Sequence, residues 1–361
     1  MQLSKYQQLV QNGILNNMEF SDLFMFSFVS EKMKKLIKSS PQMKRFESVN
    51  TIRYDHRNGR TIVCIPYRYR HHKILKISEG DEIKNDCFQL NVSGKMIDFR
   101  IIYEDKKYYP VAICQPDGCE SLISSIHGYF LDFFGNSVKY YWHAFDCKTP
   151  IQQLQNFSAC ISYQYGMPGE DTQLLNMPSF ENFFTSSPIL KYVNMYILNI
   201  REALSPESKF YQAEYLELFQ KEPILRAVLR CFQGRQAILR CEKCDFQDVI
   251  ELVNRWKSGE AFENLELIKI RTSSGHFPQN DILNAIGGKH IDHAKKPAIH
   301  TLPKVYFDIA YEREPRTFPI TSHTYVVRET DNRVASVSVQ SSIFSFGVWD
   351  ETEEEFLEIM E

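Results

Sequence analysis

Cys241 and Cys244 are separated by two residues, a spacing that suits metal binding or thiol chemistry. Structural zinc needs four ligands, but no second cysteine pair and no His-x-x-x-His pattern stands at zinc-finger spacing from this pair. A reactive thiolate needs positively charged surroundings, whereas Glu242 and Asp245 place negative charge around it. We therefore expect reduced structural thiols, without zinc, without a structural disulfide and without any cofactor.

His71 and His72 lie in a short basic stretch that could contact a metal ion or an RNA phosphate. Adjacent residues of a strand point to opposite faces, which disfavours joint chelation, so a solvated surface is the better interpretation. The 15 glycines form neither a P-loop nor a dinucleotide-binding fingerprint. No pair of carboxylates stands out as an acid and base. The sequence gives no positive evidence for an enzyme, and we expect none.

Composition narrows the class of protein further. The formal net charge of -3 argues against a surface built to bind nucleic acid, and no apolar run is long enough to span a membrane. The N-terminus lacks the charged head and apolar centre of a signal peptide. The nine cysteines are scattered and do not form a dense framework. We expect a cytoplasmic or nuclear protein.

The first 40 residues have the pattern of short helices. Ser21-Asp22 is expected to cap a helix that carries Leu23, and Ser30 to cap the helix after it. That last helix carries lysines, including Lys34 and Lys38, on a face that we expect to be solvated.

A β-rich segment is predicted over residues 49–149. Strands at Thr51–Arg57 and Arg60–Ile65 flank Asn58-Gly59, the strongest short hairpin signal, because both residues of a type I′ turn need positive φ. Apolar residues at helical spacing predict a helix over Glu120–Phe134.

Residues 150–310 contain an irregular repeat. The apolar positions Phe157, Val193, Leu216, Leu239 and Ile268 are separated by 36, 23, 23 and 29 residues, and three of these steps fit the roughly 20 to 29 residues of a leucine-rich repeat.

The segment between the last two of these positions is the clearest. Asp245 can cap a helix with an apolar stripe that includes Trp256, and Gly259 can end it. Strand, helix and strand form the unit of an α/β solenoid. An ordinary α/β domain with coincidental spacing is the alternative.

Residues 311–361 are predicted to form C-terminal β-strands followed by an acidic tail. The fold class expected for the chain is thus α+β, divided into a helical module (1–40), a β-rich segment (49–149), a leucine-rich-repeat-like α/β region (150–310) and this C-terminal part.

Ile14 to Met18, Ser21 to Leu23 and Ser27 to Ile37 resemble the second two-thirds of an F-box. Two positions depart from that motif, because Tyr6-Gln7 replaces the usual Leu-Pro pair and Met33 replaces an aromatic residue. The resemblance implies a helical module that docks on a Skp-family linker and, through it, on a cullin-RING ubiquitin ligase.

Five further segments are similar to the large nematode family of F-box proteins with a type 2 F-box-associated domain. They are Ser205–Gln212, Phe232–Gln236, Val253–Gly259, Arg333–Val337 and Phe346–Trp349. This resemblance implies substrate recognition by the C-terminal part and supplies no catalytic residue.

The resemblance therefore implies a substrate adaptor of an SCF-type (Skp-cullin-F-box) ligase in ubiquitin-dependent degradation. The residues expected to bind the linker are Leu9, Ile14, Leu15, Leu23 and Met33. Residues between the apolar strand positions should point away from the core, and those expected to bind an unknown protein target are Asn194, Tyr196, Glu217, Arg240, Lys269 and Arg271. A protein-interaction scaffold that has lost ligase coupling is the alternative.

Overall fold

The computed structural model describes residues 5–39, 49–67, 70–80, 86–104, 106–165, 177–197, 202–220, 224–305 and 316–361. The chain forms two compact units of α+β structure. Unit 1 comprises Met1–Asp146 and Gln152–Ser158, and unit 2 comprises Cys147–Ile151 and Ala159–Glu361. The predicted module 1–40 and most of the predicted segment 49–149 therefore lie in the same unit.

Unit 1 begins with three short helices, α1 (Gln8–Asn16), α2 (Phe20–Val29) and α3 (Glu31–Ser39). The backbone N–H of Met33 donates to Ser30 Oγ over 3.1 Å, so the predicted cap of α3 is confirmed. The predicted cap at Ser21-Asp22 is wrong. Helix α2 already begins at Phe20, whose ring is buried, and this draws Ser21 into the first turn.

Seven strands and one long helix follow in the described residues of unit 1. They are β1 (Thr51–Arg57), β2 (Arg60–Tyr67), β3 (Arg70–Glu79), β4 (Phe88–Val92), β5 (Lys95–Glu104), β6 (Lys107–Cys114), helix α4 (Cys119–Phe134) and β7 (Lys139–Ala144). The strand order is β7-β1-β2-β3-β6-β5-β4. Strand β1 is parallel to β7 and antiparallel to β2. Asn58 and Gly59 have φ of 50° and 72°, which confirms the predicted hairpin.

The nine cysteines are not all reduced thiols in this structure. Cys114 at the end of β6 and Cys119 at the start of α4 form a disulfide, with 5.0 Å between their Cα atoms. The expectation of no disulfide is wrong for this pair, because a short 3-10 turn, Pro116–Gly118, folds the chain back and brings the two residues together. The other seven cysteines are not disulfide-bonded.

Unit 2 contains a second set of strands, the first of which begins in unit 1 with Phe157 and Ser158. They are β8 (Phe157–Tyr165), β9 (Leu190–Ile197), β10 (Tyr215–Gln220), β11 (Gln236–Cys241), β12 (Leu267–Thr272), β13 (Lys289–His290), β14 (Ala298–His300), β15 (Ile320–Ser322), β16 (Thr324–Val327), β17 (Arg333–Gln340) and β18 (Ile343–Thr352). The main order is β8-β9-β10-β11-β12-β18-β17-β16-β13. Strands β8 to β12 run parallel, and β18 pairs antiparallel with β12.

Helices connect or follow these strands. They are α5 (Met177–Ser186), α6 (Ile224–Cys231), α7 (Phe246–Lys257), α8 (Gln279–Ala285) and α9 (Glu353–Ile359). The helix predicted after β11 is confirmed as α7: Asp245 accepts a hydrogen bond from the N–H of Gln247, and Gly259 follows the helix with φ of 73°. Trp256 of α7 is fully buried. In the part of the chain that the structure describes, no helix is long and apolar enough to cross a membrane.

Candidate functional surfaces

The apolar side chains of the three N-terminal helices divide into a buried set and an exposed set. Leu15 and Leu23 are fully buried, and Ile14 and Met33 are half-buried. The exposed apolar residues of the helices, with their exposed fractions, are Leu9 (83%), Val10 (44%), Phe26 (40%) and Val29 (61%), and Tyr6 just before α1 is 46% exposed. Of the five residues expected to bind a linker, Leu9 is thus the most accessible, whereas Leu15 and Leu23 belong to the core of unit 1.

The buried face of α2 is held by aromatic contacts with α4. Phe24 stacks on Phe130, with 4.4 Å between ring centroids and 6° between ring planes, and Phe28 contacts Tyr129 at 4.4 Å. The hydroxyl of Tyr129 donates to Ser27 Oγ over 2.8 Å. These contacts leave the opposite side of α2, with Phe26 and Val29, without an apolar cover from the described residues, because both side chains remain exposed.

Helix α3 is attached to α4 by charge. Lys34, which the sequence places on a solvated face, is buried and forms an ion pair with Asp132, while its ammonium lies 4.5 Å from the ring centre of Tyr129. Lys38 donates to the backbone oxygen of Asp132 over 2.9 Å. The prediction of a solvated lysine face is therefore wrong for Lys34, since its partner lies 98 residues away in the sequence. The pKa of Asp132 is lowered by its hydrogen bond to Lys34.

A second candidate surface lies on unit 2, on one face of the parallel strands β9 to β12. Along each strand the side chains alternate, so that Leu216 and Leu218 are buried while Glu217 is half-buried and Phe219 is exposed. We call this second face the outer face. Its half-buried or exposed residues are Asn194, Tyr196, Glu217, Phe219, Ile238, Arg240, Lys269 and Arg271. At the start of the strands the same face also carries Tyr192, Tyr215, Gln236 and Leu267, which are buried.

The outer face is built in rows by the strand register. One row contains Tyr196, Phe219, Arg240 and Arg271, and the neighbouring row contains Asn194, Glu217, Ile238 and Lys269. All six residues expected to bind a target therefore lie on one face of one sheet. Phe219 and Ile238 also belong to it. The alternation that selects Glu217 and Arg240 selects these two as well, so the sequence pattern is sufficient to identify them.

The repeat spacing aligned Leu239 with Leu216, but these two residues are not neighbours in the sheet. Leu216 lies beside Ala237, and Leu239 lies beside Leu218. The offset of two residues keeps the same face, because strand side chains alternate with a period of two. Arg240 therefore still points to the outer face.

Two contacts organise the outer face. Tyr196 and Phe219 stack with ring centroids 4.3 Å apart and 8° between their planes. Arg240 pairs with Glu217 across neighbouring strands, with 3.1 Å between Nη2 and Oε1. The opposite face is covered by helices, as the contact of Trp256 with Phe346 at 5.1 Å shows for β18.

Strand β14 lies against β18 at the edge of the outer face. His300 of β14 lies against Gly347 so closely that a Cβ atom there would stand 2.4 Å from His300 Nδ1. His300 Nε2 hydrogen-bonds with the backbone oxygen of Val348 over 2.8 Å. Farther along the chain, Phe318 is 71% exposed, and its ring centre lies 5.9 Å from Lys269 Nζ.

Cys241, Cys244, His71 and His72, the candidate metal ligands in the sequence, do not belong to a metal site within the described residues. Across the described ranges, no group of three or more His, Cys, Asp or Glu residues is arranged to hold a metal ion. His72 is half-buried and contacts the ring of Phe20 edge-on at 5.3 Å. Burial, with added repulsion from Arg53 and His72, lowers the pKa of His71 to about 4.

Comparison with known proteins gives one assignment. Residues 9–45 match the family model of the F-box domain, and of these the structure describes 9–39. No curated protein and no solved structure matches the chain significantly. F-box domains generally bind the Skp linker within SCF ubiquitin ligases and act as non-enzymatic adaptors of those complexes. The match covers the helices that pack against the sheet of unit 1.

Proposed function

We propose that this protein is a substrate-recognition adaptor of an SCF-type E3 ubiquitin ligase. In this proposal the N-terminal helices bind a Skp-family linker, and unit 2 binds a protein that is to be ubiquitinated. The match of residues 9–45 to the F-box domain is the observation that carries the proposal.

The linker contact is proposed to lie on the exposed side of α1 and α2. Leu9 is 83% exposed and Val29 is 61% exposed, and Val10 and Phe26 on the same two helices are exposed as well. Apolar residues that a monomer leaves exposed in a group mark interaction surfaces. Ile14 and Met33 are half-buried and can contribute at the edge, whereas Leu15 and Leu23 support the fold beneath.

The target contact is proposed to lie on the outer face of β9 to β12. We infer that residues 150–310 form an irregular leucine-rich-repeat-like region within an F-box-associated domain of type 2. The parallel pairing of β9 to β12, with α6 and α7 between the last three strands, supports this inference. In solenoid proteins the row of strands is a common binding surface.

The experiment is a pull-down of a purified Skp-family linker with the full chain. Replacing both Leu9 and Val29 by Asp should reduce linker capture by at least about tenfold, since central apolar interface residues each contribute about 2 kcal/mol or more. Both side chains are exposed, so the variant should keep its fold. Ile101→Asp, at a 50% exposed position on β5, is the matched control and should bind the linker normally.

The same pull-down distinguishes the adaptor from the alternative, a protein-interaction scaffold that has lost ligase coupling. A scaffold without ligase coupling would leave the wild-type chain unable to capture the linker, although it could still bind its target. Departures at Tyr6-Gln7 and Met33 make this the relevant second candidate. Absence of capture by folded wild-type protein would exclude the adaptor proposal.

A further inference from the structure

The outer face carries an uneven set of charges. Arg240, Lys269 and Arg271 are cations on this face, and Glu217 is the carboxylate that pairs with one of them, Arg240. In the described part of the chain, no carboxylate lies within ion-pair distance of Lys269 or Arg271. Arg240 and Arg271 stand directly beside each other on neighbouring strands. Like charges in such cross-strand positions repel and destabilise the sheet.

Lys269 adds a further positive charge close to Arg271. It lies two residues from Arg271 on the same face of β12, and its side chain is half-buried. Burial lowers the pKa of Lys269, and the charge of Arg271 lowers it further. The free protein therefore holds Lys269 and Arg271 close together without a compensating carboxylate among the described residues. A bound anion would relieve the repulsion between them.

Aromatic side chains flank the cations. The stacked pair of Tyr196 and Phe219 lies in the same row as Arg240 and Arg271. Phe318 stands on the side of Lys269 and is largely exposed. A ligand that crosses the strands would thus meet apolar ring surface at β9 and β10 and positive charge at β11 and β12.

We propose that the outer face recognises an acidic segment of the target protein. In this arrangement carboxylates contact Lys269 and Arg271, and an apolar or aromatic side chain packs on Tyr196 and Phe219. This inference rests on the proposed function, of which it specifies the substrate class. Charge complementarity selects the occupant, because a basic or purely apolar segment would leave the two cations buried and unpaired.

The test uses selection from a random peptide library displayed on phage, with the full chain as bait. The wild-type protein should enrich peptides that contain Asp or Glu next to an apolar or aromatic residue. Lys269→Glu combined with Arg271→Glu should remove this enrichment and weaken a selected peptide by about tenfold or more. Selection of peptides without an acidic bias by wild-type protein would overturn the proposal.

Two controls complete the design. Lys295→Glu combined with Lys296→Glu makes the same change in net charge at two exposed positions, of which Lys295 pairs with Glu361, and it should leave the selected peptides unchanged. Loss of peptide binding in this control would assign the effect to overall charge and overturn the proposal. A labelled single-stranded RNA that binds wild-type protein in place of acidic peptides would do the same.

The linker pull-down tests the adaptor function independently of the acidic substrate class. The variant with Glu at 269 and 271 should capture the linker normally, since both changes lie in unit 2 and the linker helices lie in unit 1. Failure of the wild type to bind the linker contradicts the adaptor function. Linker binding without acidic-peptide selection contradicts only the substrate class.

Discussion

Phe24 of α2 lies flat on Phe130 of α4, with 4.4 Å between ring centroids and 6° between ring planes. Both side chains are almost completely buried, and Phe24 also meets the edge of Phe133 at 6.1 Å. The helices that match the F-box domain are therefore part of the core of unit 1. A fragment that contains these helices alone would lack the α4 rings that cover Phe24 and Phe28.

The first prediction concerns this stack. Phe24→Ala should destabilise unit 1 by about 3 to 5 kcal/mol, because it removes a buried ring and leaves a cavity. Phe26→Ala on the exposed side of the same helix should cost less than about 1 kcal/mol. Urea denaturation followed by circular dichroism measures both. Equal losses for the two variants would contradict the described packing of α2.

The second prediction concerns the cross-link between β6 and α4. In denaturant without reductant, Cys114 and Cys119 should resist iodoacetamide, while the other seven cysteines react. Peptide mapping by mass spectrometry reads this directly. Replacing both residues by Ser should lower stability by about 2 kcal/mol, as expected for a short closed loop. Full alkylation of both cysteines before reduction would show that the pair is a dithiol.

The third prediction concerns the contribution of His143 to the pH dependence of stability. Its side chain is buried beside Phe145, its Nδ1 lies 3.9 Å from Asp55 Oδ1, and burial with repulsion from Arg53 lowers its pKa to about 3. The unfolded chain takes up the proton near pH 6.5, whereas the folded protein does not. The contribution to stability is therefore complete above pH 6.5 and decreases as the pH falls from 6.5 towards 3.

His143→Asn tests this directly. The variant should lose less stability than the wild type between pH 6.5 and pH 4, whatever its stability at neutral pH. Other histidines with lowered pKa, such as His71 and His127, remain in both proteins and cancel in the comparison. Denaturation curves at several pH values give the slopes. An unchanged slope would mean that His143 is protonated or accessible in the folded state.

Most local signals in the sequence predicted the local structure, although the cap at Ser21-Asp22 was wrong. Asn58-Gly59 predicted the β1–β2 hairpin because the turn needs positive φ at both residues. Asp245 and Gly259 bounded α7 because capping depends on neighbours within one turn. Strand alternation likewise selected residues that share the outer face, since that pattern needs only the strand itself.

Relations between distant segments could not be predicted in the same way. The partner of Lys34 is Asp132, 98 residues later, and nothing in the charge pattern of α3 indicates it. The burial of Leu15 and Leu23 depends on how the helices pack within unit 1, so an apolar helix face alone did not distinguish core from interface. The repeat spacing also failed to predict the register of β11, because the length of the loop before β11 sets which of its residues lies beside Leu216.

If the outer face binds an extended segment of the target, as proposed, the strand register sets the length of that segment. The row from Tyr196 to Arg271 crosses three gaps between neighbouring strands, which at about 4.8 Å each gives a width of about 14 Å. An extended chain advances about 3.3 Å per residue, so about four residues of a target cover the row. The degradation signal would then be a short linear motif, and moving that motif into an unrelated protein should make the recipient a substrate.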